Sequence, residues 1–128
     1  TGGQLSVLLR RLQKRGVNLL LRNFGGIIVG RSAGALVLGR KCLVTNRYSG
    51  QAKIVDGLGL VDFSVKVHYN PSKDGLLRDF SCQEKIYAIP QRSALIYDSG
   101  VLSVMGKVFL FEDGNKILLD GTGNIASA

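Results

Sequence analysis

A short apolar run bounded by glycines constrains the fold of this chain more than any other feature. Gly25-Gly26 precedes Ile27-Ile28-Val29, and Gly30-Arg31-Ser32-Ala33-Gly34 comes next. A continuous apolar run between glycines is typical of a strand that is buried on both faces of a parallel sheet. Residues Ala33 to Leu38 favour a helix that begins at once. The sequence therefore predicts a strand, a tight turn and a helix in direct succession, with Ser32 in the turn.

The remaining segments alternate between helix and strand and then give way to hairpins. Leucines at helical spacing, opposite basic residues, predict a helix over residues 5–21 that Gly16 ends or interrupts. Residues 45–56 are expected to form a loop, and residues 58–68 to end in a strand. A turn at 70–72 and a helix over 74–80 follow. Further strands are predicted at 85–89, 94–97, 101–105, 107–111 and 116–119, the last two joined by an Asp-Gly turn.

This element order predicts an α/β fold, with a mostly parallel sheet and an antiparallel edge near the C-terminus. The 128 residues are expected to form one domain, residues 1–128. The chain starts at Thr1-Gly2-Gly3 without an initiating methionine, so we expect it to begin partway through a domain.

Composition narrows the possible settings and partners. No apolar run approaches the roughly 20 residues that a bilayer span needs, and no export leader opens the chain, so no membrane partner is expected. Two cysteines without close spacing, Cys42 and Cys82, fit a reducing cytoplasmic setting, and a lone His68 argues against a zinc site. The net charge of +8 is scattered without interleaved aromatic residues. This distribution is more typical of a solvated basic face of a helix than of a surface that binds nucleic acid.

The turn at Ser32 has the residue pattern that a serine nucleophile needs. Such a serine stands clear of its backbone on a sharp strand-to-helix turn, and small residues two before and two after allow the close approach of neighbouring backbone. Gly30 and Gly34 occupy those places. The helix N-terminus would favour a developing oxyanion. The alternative is a glycine-tight turn with an inert serine.

Three segments together resemble a known family. Gly30-Arg31-Ser32-Ala33-Gly34-Ala35, the opening Thr1-Gly2-Gly3-Gln4 and the later His68-Tyr69-Asn70 look like the S51 serine peptidases, which include aspartyl dipeptidase (peptidase E) and cyanophycinase. The resemblance spans residues 1 to about 120. It implies a three-layer αβα fold of the class I glutamine amidotransferase type, without its first strands and helices, and a cytoplasmic serine peptidase that acts on small peptides without a cofactor.

The resemblance also assigns roles to individual residues. Ser32 would be the nucleophile and His68 its general base, and His68 is also the only histidine in the chain. Gly3 and Ala33 would supply the backbone N–H groups of the oxyanion hole. Arg31 and Arg92 could bind an acidic group of an aspartyl substrate, or could be ordinary solvated arginines.

The third triad residue is where the chain departs from the family. The family has a glutamate in a segment like Ile-Pro-Glu-Gly-Ser, whereas this chain has Ile89-Pro90-Gln91-Arg92-Ser93. Gln91 could orient the imidazole as an amide, Asp62 or Asp98 could supply a carboxylate instead, or the enzyme could be slow or inactive. A non-catalytic binding or regulatory relative is therefore an alternative function, and a nucleic-acid-binding domain is a weaker one. The oligomeric state stays open, with a homo-oligomer as one alternative.

Overall fold

The computed structural model describes residues 4–14, 16–46, 48–121 and 124–126, and the side chains of 124–126 are not described. The chain divides into two compact units, Thr1–Asp62 and Phe63–Ala128. Helices and sheets both occur, which confirms the mixed α/β class. Within the described residues, no helix has the length and apolar character needed to cross a membrane.

The first unit combines three helices with a two-stranded hairpin. Helices α1 (Leu5–Lys14) and α2 (Val17–Arg22) are separated at Gly16, whose φ of 63° lies in the left-handed region that glycine adopts readily, as the sequence predicts. Helix α3 (Ala33–Leu38) is also confirmed. The buried core consists of side chains from α1, α3 and the segment that follows α3, namely Leu5, Leu9, Ala33, Val37, Cys42 and Leu58.

Two predictions for the first unit are wrong. The expected loop over 45–56 is an antiparallel hairpin of β1 (Lys41–Thr45) and β2 (Ala52–Asp56). Most of β2 faces solvent, so its sequence lacks the apolar alternation by which a half-buried strand is recognised. The expected buried strand at 27–29 is a segment without helix or strand structure, in which Ile27 and Val29 are 90% and 85% exposed. A buried parallel strand needs neighbours on both sides, and none of the described strands pairs with this one.

The second unit contains two sheets. Strands β3 (Ser64–Val67), β4 (Ile86–Ile89), β7 (Val108–Glu112) and β8 (Asn115–Leu119) form one sheet in the order β3-β4-β7-β8. Strands β5 (Ala94–Asp98), β6 (Val101–Met105) and β9 (Asn124–Ala126) form the other. A short 3-10 helix (Pro71–Lys73) and helix α4 (Asp74–Ser81) lie between β3 and β4 in sequence.

The prediction of a mostly parallel sheet is wrong for the described strands. Only β3 and β4 pair in parallel, whereas the other pairings are antiparallel. The physical reason is connection length, because strands joined by tight turns can pair only antiparallel and a parallel pair needs a long crossover. Helix α4 supplies that crossover between β3 and β4. The predicted hairpin at Asp113-Gly114 is confirmed, and both residues have the positive φ of a two-residue hairpin turn.

Gly57 provides a test of the packing in the first unit. A Cβ added there would lie 2.1 Å from the carbonyl oxygen of Gly39, because main-chain hydrogen bonds bring 57–59 against the end of helix α3. We predict that Gly57→Ala lowers the free energy of unfolding by about 1–3 kcal/mol, measured by urea denaturation. Gly25→Ala is the matched control, since a Cβ at Gly25 meets nothing within 4 Å. Equal stability of the two variants would contradict this packing.

Candidate functional site

Ser32 has an unusual backbone conformation at the start of a helix. Ser32 has φ 55° and ψ −124° and directly precedes helix α3. Its carbonyl accepts hydrogen bonds from the N–H groups of Ala35 (3.0 Å) and Leu36 (3.2 Å) in the first turn of that helix. A positive φ is uncommon outside glycine and marks a position that its surroundings hold in place. The Ser32 hydroxyl makes no capping hydrogen bond to the helix, and the residue is partly exposed.

The close approach predicted around this turn is present at Gly30. A Cβ at Gly30 would lie 2.6 Å from the Gly34 carbonyl oxygen, 2.7 Å from a Leu38 methyl group and 2.8 Å from the Ala35 Cα. Glycine at this position is therefore a steric requirement of the turn. The strand expected before the turn is absent among the described residues, so the corner forms without a sheet on its N-terminal side.

Ala33 is the first residue of helix α3, and its side chain is buried. The first N–H groups of a helix have no partner within the helix, which makes the Ala33 N–H available in principle to an oxyanion. The other predicted donor, Gly3, lies outside the described residues. Arg31, next to Ser32, has an exposed side chain.

His68 and Gln91 meet in the second unit. Strands β3 and β4 are parallel, with Val67 opposite Ile89, so their carboxyl ends lie at the same edge of the sheet. His68 directly follows β3, and Gln91 lies in the turn after β4. The Gln91 Nε2 atom is 2.9 Å from the His68 Nδ1 atom. The two residues that the sequence assigns to base and orienting group are thus hydrogen-bonded partners.

Two residues at this contact have a positive φ. His68 has φ 53° and Arg92, the residue after Gln91, has φ 61°. The turn that carries Gln91 is held at its far end, where the Ser93 hydroxyl accepts a hydrogen bond from the Lys107 N–H at 3.2 Å. A Cβ at Gly106 would lie 2.7 Å from the same hydroxyl oxygen, so the connection between β6 and β7 packs closely on this turn.

The two carboxylates considered as substitutes have other partners. Asp62 pairs with Arg40 at 3.1 Å, and both side chains are more than half exposed. Asp98 ends β5 at a tight turn and accepts a hydrogen bond from the Ser99 hydroxyl at 3.0 Å. In the second unit, the position beside Nδ1 of His68 belongs to Gln91. Arg92, expected to bind an acidic substrate group, has an exposed side chain next to this pair.

Three hydrogen-bonded residues, beginning with the residue that follows His68, were not identified from the sequence. Tyr69 donates a hydrogen bond to Asp74, and Asp74 accepts another from Lys116. Asp74 is five residues from Tyr69 and begins helix α4, whereas Lys116 comes from β8. No rule of sequence spacing predicts a contact among these three positions. The only available signal was the position of Tyr69, directly after the candidate base.

Ser32 and Ala33 belong to the first compact unit, and His68, Gln91 and Arg92 to the second. The model of a peptidase family, Peptidase family S51, matches residues 1–106. An uncharacterized peptidase of Listeria monocytogenes is 30% identical over 108 residues, which cover 74% of this chain and 53% of that protein.

A solved structure is also similar. The crystal structure of a peptidase from an acI-B1 Actinobacterium aligns with a TM-score of 0.50 and 20% identity, over 73% of this chain and 43% of that one. At this identity the likeness supports the fold alone. The chain therefore spans about half the length of the proteins that it matches.

The strain at Ser32 gives a prediction that needs no substrate. Glycine should relieve a φ/ψ cost of about 1–3 kcal/mol, less about 0.5–1 kcal/mol for the greater freedom of glycine in the unfolded chain. Ser32→Gly should therefore raise the free energy of unfolding by about 1 kcal/mol. Ser32→Ala, which keeps the strain, should give no such gain. Urea denaturation of both variants is the measurement, and a glycine variant no more stable than the alanine variant would contradict strain at this turn.

Proposed function

Because the chain belongs to peptidase family S51, we propose that it is a serine peptidase that cleaves small peptides through an acyl-enzyme on Ser32. The observation that carries the proposal is the 2.9 Å contact between Gln91 and Nδ1 of His68, the only imidazole in the chain. A histidine whose Nδ1 is held by a polar side chain is the arrangement by which peptidases orient a general base.

In this mechanism the Ser32 hydroxyl attacks the scissile carbonyl, and Nε2 of His68 takes its proton. The Ala33 N–H, with that of Gly3, stabilises the oxyanion, and His68 then returns the proton to the leaving amine. Water hydrolyses the acyl-enzyme by the same steps. The strained backbone at Ser32 and its place before helix α3 support the nucleophile assignment.

Gln91 determines how well His68 can act as a base. In the structure the Gln91 NH2 group faces Nδ1, an orientation in which the imidazole keeps its proton on Nε2. Rotation of the amide by half a turn presents its oxygen instead, which accepts the Nδ1–H and leaves Nε2 free to take the serine proton. We propose that the second orientation is the productive one. An amide cannot stabilise the imidazolium by charge, so turnover should be slow.

The substrate proposal rests on charge. Arg31 adjoins the proposed nucleophile in sequence, and Arg92 adjoins Gln91; both side chains are exposed. A planar guanidinium can bind both oxygens of a carboxylate, which suits an aspartyl peptide. We propose peptides with an N-terminal aspartate as the first substrates to test. A reducing, cytoplasmic setting is proposed with them and agrees with the free thiols of Cys42 and Cys82.

For the whole domain we propose the three-layer αβα arrangement of the class I glutamine amidotransferase type. The mixed α/β architecture and the similarity to a solved peptidase support it. A non-catalytic role for the chain is the second candidate, and the amide at position 91 is the observation that favours it.

The nucleophile is tested by labelling with a fluorophosphonate probe, which reacts with activated serines. Wild-type chain should label, and Ser32→Ala should not, because the attacking oxygen is gone. His68→Ala should reduce the labelling rate at least about hundredfold, since an unassisted hydroxyl is a weak nucleophile. Ser49→Ala is the matched control and should label like wild type, since Ser49 is an exposed serine in the turn between β1 and β2. Labelling that survives Ser32→Ala would contradict the assignment, and its absence in wild type would favour the non-catalytic role.

The role of Gln91 is tested by restoring a carboxylate. Gln91→Glu places a negative charge beside Nδ1, which favours the protonated imidazole over the neutral one. Because the neutral imidazole is the active form, the acid limb of the kcat/KM profile should move to higher pH. Above that limb, kcat should rise at least about tenfold, since the carboxylate stabilises the imidazolium.

Gln91→Ala is the matched control for that change. It removes the orienting group without adding charge, so it should lower kcat and leave the acid limb of the profile in place. An unmoved acid limb in Gln91→Glu, in a chain that folds as wild type does, would contradict a direct role for position 91.

A further inference from the structure

A second polar cluster lies directly beside the proposed base and takes no part in the chemistry proposed above. The Tyr69 hydroxyl donates a hydrogen bond of 2.6 Å to Oδ1 of Asp74. The other oxygen of that carboxylate, Oδ2, accepts a hydrogen bond of 2.7 Å from the Lys116 ammonium group. We call Tyr69, Asp74 and Lys116 the tyrosine anchor. It ties Tyr69, the second residue after β3, to the start of α4 and to β8.

Aromatic packing surrounds the tyrosine anchor. Tyr69 is buried, with its ring centroid 5.0 Å from that of Phe109 and 6.1 Å from that of Phe111. The Lys116 ammonium lies 4.6 Å from the Phe109 centroid, 5.4 Å from that of Tyr69 and 5.8 Å from that of Phe111. A cation over several ring faces is attracted to each of them. The tyrosine ring is therefore fixed by packing as well as by its hydroxyl.

The cluster is built to keep one protonation state near neutral pH. Hydrogen bonds from Lys116 and Tyr69 lower the pKa of Asp74, and the hydrogen bond to Asp74 raises the pKa of Lys116. Burial is the main reason that the pKa of Tyr69 is raised. The Lys116 and Asp74 side chains are 21% and 27% exposed, so solvent screens their attraction less than that of a surface pair. The hydroxyl therefore stays a donor to a charged carboxylate.

The position of the cluster matters because His68 precedes Tyr69 and has a positive φ of 53°. That conformation costs a non-glycine residue free energy and persists only where both flanking segments are held. On one side, β3 pairs with β4 up to Val67. On the other, the Tyr69 N–H donates to the Ile89 carbonyl at 3.2 Å, and its side chain is held by the tyrosine anchor.

We propose that Tyr69, Asp74 and Lys116 are positioning residues that hold His68 in its left-handed conformation, with its imidazole against Gln91. Without the hydrogen bonds of the anchor, the Tyr69 ring is held by its packing on Phe109 and Phe111 alone, and the backbone at His68 relaxes toward ordinary φ values. The imidazole then no longer keeps its contact with the Gln91 amide. The consequence for catalysis rests on the proposed function, whereas the positioning itself can be measured without a substrate.

The experiment uses the ring ¹⁵N resonances of His68, which are unambiguous because the chain has one histidine. Tyr69→Phe removes the hydroxyl and keeps the ring, and Lys116→Met removes the charge and keeps an apolar side chain over the aromatic rings. Tyr97→Phe is the matched control, since Tyr97 is in the same unit and its ring also packs on an aromatic side chain, Phe63. Spectra of the full 128-residue chains are compared at one alkaline pH.

We expect Tyr69→Phe and Lys116→Met to move the Nδ1 and Nε2 resonances toward those of a histidine in an unfolded chain, and Tyr97→Phe to leave them in place. If the wild-type chain is active, Tyr69→Phe and Lys116→Met should each lower kcat about tenfold or more and change KM less than about twofold. Wild-type resonances in a folded Tyr69→Phe or Lys116→Met chain would overturn the proposal. If Tyr69→Phe does not fold, Lys116→Met decides. An inactive wild type would count against the proposed function, and the resonances would still decide the positioning.

Discussion

The parallel pairing of β3 with β4 is the constraint on which the second unit depends. It is the one parallel pair among the described strands, and α4 provides the crossover that it requires. Parallel strands end at the same edge of a sheet, and loops at that edge commonly carry functional side chains. His68 and Gln91 are the first polar side chains beyond this pair, and the register places them within hydrogen-bond distance. Antiparallel pairing would have sent them to opposite edges.

The two compact units each contribute one chemically distinctive feature. In the first, a serine with a strained backbone precedes a helix, and the glycine two residues before it cannot be replaced without a clash. In the second, an imidazole contacts an amide, and the tyrosine anchor begins at the residue that follows the imidazole. Membership of peptidase family S51 gives a reason for both features to occur in one chain. The chain covers about half the length of the proteins that it matches, so the activity of the whole protein is a proposal that the experiments above test.

The sequence predicted the elements that a few adjacent residues determine. It did not predict those that depend on contacts with residues far away in the chain. The break at Gly16, the helix after Ser32 and the turn at Asp113-Gly114 each follow from a few adjacent residues, and all three are present. The β1–β2 hairpin was missed because solvent-facing strands carry little apolar pattern. The strand expected at 27–29 failed because strand formation needs a partner, which no local pattern can supply.

The same division applies to the candidate site. The order of Ser32, His68 and Gln91 could be interpreted from motifs, and the contact between the last two agrees with that interpretation. The tyrosine anchor could not be predicted, because it joins residues up to 47 positions apart through packing and a shared carboxylate. Motifs specify which chemical groups are present, whereas the distant contacts determine whether those groups are held in place.

The most direct test of the central claim is to trap the covalent intermediate. The chain would be mixed with an activated ester of aspartate and quenched in acid within seconds. The position of any adduct would then be mapped by peptide mass spectrometry. We predict an acyl adduct on the peptide that contains Ser32. The adduct should accumulate because the amide at position 91 slows its hydrolysis, and it should be absent from Ser32→Ala. Ester turnover with no adduct on that peptide, or with an adduct on another side chain, would contradict this prediction.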